Sequence, residues 1–291
     1  MKKIGVVTDS CGGISKEEAD KLGVKILPMS FCFGDECFYE NVSITREEFF
    51  ARLNVGEKVF TSQPSVEDVM NIWTEALEEY EQILHMPLSS ALSGSCNTAR
   101  LLSLEDEFEG RVFVVDNGRI ATPMHRAILD ALELIEEGCS AEEIRGILEN
   151  SKTDMSIYIA VETLEFLKRG GRISPATAAI GTALNIKPIL TVSSEGIGSY
   201  KKSRGMKKAR REILESLKND LETKFKDSYE KNEVYMMAAT SADEQTTKEW
   251  VEEIKEFFPG MEVLCDDLAL AIACHTGEGA LGAGFSCKPK R

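Results

Sequence analysis

The sequence predicts an α/β protein of two domains, with a mostly parallel sheet in the first and a second α/β domain after it. Short apolar runs alternate with amphipathic segments that begin at capping residues, which is typical of parallel strands joined by helices. The first run ends in the polar turn Thr8-Asp9-Ser10, and such turns hold ligands at the carboxyl ends of parallel strands. The length of 291 residues suits about two domains.

The elements of the first half follow from apolar runs, which indicate strands, and from capping residues, which indicate helix starts. Ser15 with Glu18 and Thr45 with Glu48 have the spacing of capping boxes. In chain order we expect strands at 3–7 and 24–27, a hairpin around Gly34-Asp35, helices from Thr45 and from Ser65 to Tyr80, a strand at 82–86, a helix over 95–104, a strand at 111–116, and helices near 122–137 and 140–150.

The second half is read in the same way, and its last segment is apolar and rich in glycine. We divide the chain into an N-terminal domain (1–160) and a C-terminal domain (161–291), although no Pro/Ser linker marks the boundary. In the alternative division, the last segment of the chain packs back into the first domain. The predicted elements are a strand at 155–161, a short helix broken at Gly170-Gly171, a helix over 175–184, a strand at 186–192, a turn at Gly196 and Gly198, a charged helix over 204–226, a strand at 233–240, a helix over 243–257 and a strand at 261–265.

Composition excludes several classes of function. With 34 basic and 49 acidic side chains the net charge is −15, which disfavours nucleic-acid binding and anionic membrane surfaces. No apolar run reaches the roughly 20 residues that span a bilayer, and the N-terminus lacks the apolar core of a signal peptide. The eight cysteines form no CxxC pair, so we expect reduced thiols in a cytoplasmic protein and no metal site. A site built from Cys274, His275 and a distant cysteine has little support.

Four polar turns lie at strand ends or helix starts, where hydroxyls and free backbone N–H groups can hold an anion. None contains a lysine or arginine, which suits a single carboxylate better than a triphosphate, and the chain has no GxxxxGK[ST] loop. The alternative for each turn is a simple helix cap. The four turns are 8–10, 61–65, 89–95 and 275–277.

Two further features leave alternatives open. Ser93, His275 and Asp9 could be drawn as a hydrolase triad, although Ser93 lies in Leu-Ser-Gly-Ser and not in a GxSxG elbow. Residues 201–211 (KKSRGMKKARR) hold seven basic side chains in eleven positions. This basic cluster is either a solvated helix face or a docking surface for an acidic partner or a phosphate-bearing ligand.

The ordered motifs of the chain resemble those of the bacterial DegV family over nearly its whole length. The most specific segment is ETLEFLKRGGRISPATAAIGTALNIKPIL at 162–190. The others are TDSCGGI near the N-terminus, TSQPS at 61–65, SSALSGS at 89–95, the G-x-G and KKSRG that follow residue 195, and HTGEGALG at 275–282.

The resemblance implies a non-catalytic protein that holds a long-chain fatty acid, such as palmitate, stearate or oleate, in a buried tunnel between its domains. It further implies that a separate ATP-dependent kinase converts the presented carboxylate to acyl-phosphate, with no cofactor on this chain. The alternative is an acyl hydrolase or phosphotransferase acting through Ser93 or His275. By motif position, the residues that would bind the carboxylate are Thr61, Ser62, Ser93, Gly94, His275 and Thr276. The segment 174–190 would form the wall of the acyl tunnel through Ala176, Ile180, Leu184 and Ile186. The kinase would dock at Arg204, Lys207 and Lys208.

Two departures from the family pattern give further expectations. Asn117, Arg119 and Pro123 replace the family's usual serines and small residues after the predicted strand at 111–116, so that turn is expected to be reshaped. Glu278 stands where a proline is common, and we expect its carboxylate to point to solvent, away from an anionic head group. A protonated His275 would be a further donor to the carboxylate.

Overall fold

The computed structural model describes residues 2–174 and 185–291. Its strands are β1 (Lys2–Asp9), β2 (Val24–Leu27), β3 (Ser30–Phe33), β4 (Glu36–Tyr39), β5 (Val59–Thr61), β6 (Tyr80–Met86), β7 (Val112–Val114), β8 (Met155–Ala160), β9 (Ile186–Ser193), β10 (Gly196–Arg204), β11 (Val234–Thr240), β12 (Val263–Asp267) and β13 (Leu281–Cys287). The predicted helix over 175–184 lies outside the described residues.

The helices after Ser15, Thr45 and Ser65 begin where these capping residues predicted. Thr45 and Glu48 form the reciprocal capping box, whereas Ser15 caps the Glu18 N–H without the return bond from the Glu18 side chain. The helices are α1 (Lys16–Leu22), α2 (Arg46–Asn54), α3 (Val66–Glu79), α4 (Ser95–Leu102), α5 (Thr122–Glu136), α6 (Ala141–Asn150), α7 (Glu165–Arg169), α8 (Met206–Glu222), α9 (Lys226–Glu230), α10 (Glu244–Phe257) and α11 (Leu270–Thr276).

The first sheet is parallel, as the alternation of strands and helices predicted. Its order is β2-β1-β6-β7, and Val6 of β1 is paired with Val24 on one side and Leu84 on the other. Separate apolar clusters lie between this sheet and the helices, one with α5 and α6 and the other with α3 and α4. The carboxyl ends of β1 and β6 therefore lead into neighbouring turns, at the sheet edge where a ligand was expected.

The second sheet is mixed, with the order β10-β9-β8-β13-β11-β12. Its only parallel pair among the described strands is β11 with β12. The strand β8, which the division at residue 160 assigns to the first domain, hydrogen bonds within this sheet, so we propose that the boundary lies before Met155. The last strand, β13, also belongs here, whereas α11 packs on the apolar residues of α2 and β3.

A third, antiparallel sheet, β4-β3-β5, contains the predicted hairpin. Its register places Cys32 directly opposite Cys37, and the two form a disulfide. This corrects the prediction that every cysteine is a reduced thiol; the other six are free. The spacing of these two cysteines resembles no familiar motif, and only the strand register brings them together.

Two further expectations were wrong in detail. Gly196 and Gly198 lie inside β10, and the turn before it is formed by residues 194–195. The charged helix begins at Met206, not at 204, because Arg204 still pairs with Ile186 in the β9–β10 ladder. The basic cluster is therefore shared between a strand and the first turns of α8.

Candidate functional site

An apolar cavity lies between the second sheet and the segments that follow β6 and β7. It encloses about 670 Å³ of space free of protein atoms, part of it open to solvent. Ile120 and Pro123 line it from the N-terminal half, and Ile157 and Leu190 line it from the second sheet. Among the described lining residues Thr276 alone carries a polar side chain, so the cavity suits an extended apolar molecule.

Strand alternation in the second sheet creates this cavity. On β11, Met236 enters the core shared with α8 and α10, whereas Met237 lines the cavity. On β13, Phe285 enters the same core and Gly284 lines the cavity. A Cβ at Gly284 would lie 2.7 Å from the carbonyl oxygen of Ser156, so only glycine fits here. The Gly-rich tail of the sequence thus leaves room on one face of the sheet.

A polar chamber adjoins the apolar cavity and shares lining residues with it, among them Leu92 and Ile272. It encloses about 560 Å³ by the same measure. Three of the four predicted polar turns meet here, although they come from β5, the turn before α4, and the end of α11. The predicted site residues that line the chamber are Thr61, Ser62, Ser93, His275 and Thr276.

The remaining predicted residues are placed differently. Gly94 is the N-cap of α4 and is not among the described residues that line the chamber. The predicted tunnel residues Ala176, Ile180 and Leu184 lie outside the described residues. Ile186 is half-buried at the start of β9, and on this strand Leu190 and Val192 reach the apolar cavity instead.

His275 and Thr61 form the central contact of the chamber. The Thr61 hydroxyl lies 3.0 Å from His275 Nε2. The other ring nitrogen, Nδ1, packs against Gly170, where a Cβ would lie only 2.0 Å from it. Burial, with the nearby Arg172 cation, lowers the pKa of His275 to about 4. The sequence left the protonation of His275 open, and the structure gives a neutral ring, bonded to Thr61, that lines the chamber.

Arg172 is the chamber residue that sequence reasoning missed. It is half-buried, lines the chamber, and donates from Nη1 to the Gly170 carbonyl at 2.6 Å. The prediction that no cation lies at the carboxylate site was based on the four polar turns alone. Arg172 was missed because it lies outside these turns, in the Gly-Gly-Arg segment after α7. Its presence matters because an anion in a buried site is costly unless a charge or several donors compensate it.

The titration of His275 gives a direct check on this arrangement. We expect ¹⁵N NMR to show a neutral ring across the physiological range, with a pKa of about 4. The Arg172→Gln substitution should raise that pKa because it removes a nearby cation. Since the ordinary pKa is 6.5, the depressed value should also make the fold less stable as the pH falls from 6.5 to about 4.

His125 serves as the internal control for this titration. Its ring is bonded to Asp266 at 3.1 Å and faces Glu18 at 3.3 Å. Its pKa should not change in the Arg172→Gln variant. A His275 pKa near 6.5 in the wild-type protein would contradict the buried, neutral ring.

The hydrolase triad is not assembled among the described residues. The Ser93 hydroxyl accepts hydrogen bonds from the Ser95 N–H and hydroxyl, at 3.2 and 3.0 Å. The Asp9 carboxylate is buried and accepts from the backbone N–H groups of Cys11 and Leu88. The His275 ring therefore has Thr61 as its partner, and no hydrogen bond joins it to Ser93 or Asp9.

The cysteine alternative is likewise without support from the geometry. Cys274 is buried against α2 and β3, and burial raises the pKa of its thiol, which keeps it protonated and unreactive. Among the described residues no cluster of three or more histidine, cysteine or acidic side chains could hold a metal ion. The described part of the chain also has no helix long and apolar enough to cross a bilayer.

The departures from the family pattern have defined positions. Pro123 lines the apolar cavity, and Arg119 is fully buried with its guanidinium 3.8 Å from Asp130. Asn117 accepts the Arg119 N–H, which stabilises the turn between β7 and α5. Glu278 is exposed and accepts from Asn54 at 2.7 Å, which confirms that it points away from the chamber.

The predicted docking residues Arg204, Lys207 and Lys208 are all exposed. Lys208 lies 3.6 Å from Glu212, whereas no acidic side chain of the described residues pairs with Arg204 or Lys207. Lys207 lines a surface cleft together with Glu278 and Gly279, the residues that follow the chamber turn. Lys207 and Arg210 of the basic cluster therefore lie beside that turn.

These features define a class of α/β proteins with an apolar cavity on one face of a mixed sheet and a polar chamber beside it. The chain belongs to the DegV family, since the model of that family, described as an uncharacterised protein of the DegV family, matches residues 3–288. The protein DegV of Bacillus subtilis is 31% identical over 283 residues, which cover 96% of this chain and 97% of that protein.

Two solved structures are similar over almost the whole chain. A DegV family protein from Thermus thermophilus, described as binding fatty acid, is 34% identical with a TM-score of 0.86, covering 98% of this chain and 99% of that one. A stearic-acid-binding protein from Eubacterium ventriosum is 26% identical with a TM-score of 0.87, covering 99% of both chains.

Proposed function

We propose that this chain binds one long-chain fatty acid, such as palmitate, stearate or oleate, with its tail in the apolar cavity and its carboxylate in the polar chamber. The observation that carries the proposal is that the two spaces share six lining residues. An almost wholly apolar cavity adjoins a chamber where Thr61, Ser93 and Arg172 supply two hydroxyls and a cation. The fatty-acid-binding relatives from Thermus thermophilus and Eubacterium ventriosum support it.

The energetics favour binding through the tail. Burying about fifteen carbons contributes roughly 12 kcal/mol, at about 0.8 kcal/mol for each CH₂. Ordering the acyl chain and immobilising the ligand removes about a third or more of this free energy. The head group then needs only a few well-placed donors to offset its desolvation.

We propose further that the chain is a carrier that works in the cytoplasm with a separate ATP-dependent kinase, which phosphorylates the presented carboxylate. The chain has no phosphate-binding loop of its own, and Ser93 lacks a bonded histidine base. Arg204, Lys207 and Lys208 are the proposed docking residues, because all three are exposed on a chain of net charge −15 and Lys207 lies beside the chamber turn. An acidic protein surface fits such a cluster, and the same acidic chain disfavours nucleic acid.

The proposal predicts that purified protein carries a fatty acid at close to one per chain. Solvent extraction followed by mass spectrometry measures the ligand, and incubation of the extracted protein with palmitate measures rebinding. Release of a shortened or hydrolysed product from an acyl ester by the protein alone would favour the hydrolase alternative. Only trace lipid together with no binding of palmitate or oleate would reject the proposal.

The docking role predicts an effect on transfer and not on binding. We expect Arg204→Glu to keep the bound lipid but to slow acyl-phosphate formation by the cognate kinase about five- to tenfold at low salt. The difference should shrink as salt rises, because charge attraction is screened over about 8–10 Å. Lys218→Glu, on an exposed part of α8 outside the cluster, is the control. An unchanged rate of acyl-phosphate formation in Arg204→Glu would mean that the basic cluster is a solvated surface and not a docking site.

A further inference from the structure

A further, smaller cavity shares no lining residue with the polar chamber or the apolar cavity. It is formed at the carboxyl ends of β1 and β6 and at the start of α4, and Asp9, His85, Ser95 and Thr98 contribute its polar groups. Its interior has room for about one water molecule. Ser95 connects it to the head-group chamber, because the Ser95 hydroxyl donates to Ser93 and Ser93 lines that chamber.

The protonation of His85 is set by its neighbour Trp73. The indole N–H donates to His85 Nδ1 at 3.1 Å, so Nδ1 is an acceptor. Burial lowers the pKa of His85 to about 3, and a neutral ring with an accepting Nδ1 carries its proton on Nε2. His85 is 2% exposed, and its Nε2 has no hydrogen-bond partner among the described residues. A buried donor of this kind requires an acceptor.

The direction in which the Ser93 hydroxyl donates its proton is likewise determined by its hydrogen-bond partners. A serine hydroxyl offers two lone pairs and one proton. Both lone pairs of Ser93 are occupied, one by the Ser95 N–H at 3.2 Å and one by the Ser95 hydroxyl at 3.0 Å. The Ser93 proton is therefore left to donate into the chamber, which selects a ligand group that accepts.

We propose that the small cavity binds a water molecule that accepts from His85 Nε2 and donates to the Ser95 hydroxyl and the Asp9 carboxylate. His85, the water, Ser95 and Ser93 then form a chain of hydrogen bonds that all donate towards the head group. Bonds arranged in series strengthen one another, so the last donor is a better partner for an anion. His85 and Ser95 are positioning residues in this scheme. Only the last hydrogen bond, from Ser93 to the ligand, rests on the proposed function, because it requires a bound carboxylate.

A high-resolution crystal structure of the wild-type chain tests the water directly. We expect an ordered water within about 3.5 Å of His85 Nε2, and ¹⁵N NMR should find the His85 proton on Nε2. The water is expected with or without a bound fatty acid. A dry cavity, or a proton on Nδ1, would overturn the inference whatever the chain binds.

A ligand comparison tests the directed chain. Ser95→Ala should reduce the preference for palmitate over hexadecanol, which shares the tail but lacks the charge, roughly three- to tenfold. Ser95→Thr keeps the hydroxyl and should restore the preference, and Ser103→Ala, at the other end of α4, should not alter it. An unchanged preference in Ser95→Ala would remove Ser95 from the head-group site. If the wild-type chain binds neither compound, the proposed function fails, while the crystal structure still decides the water.

Discussion

Replacing Ala239 with phenylalanine is expected to lower the affinity for palmitate about 100-fold while the protein stays folded. Ala239 is buried on the cavity face of β11, opposite Gly282 of β13, and its methyl group beside a residue without a side chain leaves space for a ligand. A phenyl ring at this position would exclude about four CH₂ groups of the tail. At about 0.8 kcal/mol each this amounts to roughly 3 kcal/mol, or a little over two powers of ten in affinity.

Calorimetric titration with palmitate, beside a thermal unfolding curve for each variant, measures this effect. The matched control is Ala51→Phe, which adds the same ring at an exposed position of α2 and should leave affinity unchanged. Wild-type affinity in a folded Ala239→Phe protein would mean that the acyl chain does not occupy the apolar cavity.

Replacing Gly170 with alanine is the second large effect, and it acts on the chamber. Gly170 has φ −75° and ψ −7°, which any residue can adopt, so the backbone does not forbid the change. The added Cβ would lie 2.0 Å from His275 Nδ1, and the ring would have to move away from Thr61. We expect a 10- to 100-fold loss of palmitate affinity. The overpacking should also lower the free energy of unfolding by about 1–3 kcal/mol.

Gly146→Ala is the control for this substitution. Gly146 lies inside α6, and a Cβ there would meet no atom within 4 Å. That variant should raise the free energy of unfolding by about 0.5–1 kcal/mol, since alanine favours helices over glycine, and should bind palmitate normally. If Gly170→Ala and the wild-type protein bind palmitate with equal affinity, His275 does not contribute to ligand binding.

The local elements of the fold could be predicted because their signals lie in consecutive residues. Thr45 and Glu48 start α2 through bonds that span three positions, and the apolar run before Asp9 defines β1. The membership of β8 in the second sheet could not be predicted in this way. An apolar strand reads the same in either sheet, and only the pairing with β9 and β13 assigns it.

For the candidate site, the sequence by itself determined which polar turns could hold an anion, since their hydroxyls and glycines are visible in order along the chain. Only the tertiary structure decided that three of them meet. Thr61 and His275 are 214 positions apart, and their contact depends on α11 packing against the sheet of β5. It also decided that Arg172 faces the same chamber and that His275 is neutral. Charge and proton affinity in a buried site depend on neighbours that are distant in sequence, because burial and nearby charge set the pKa.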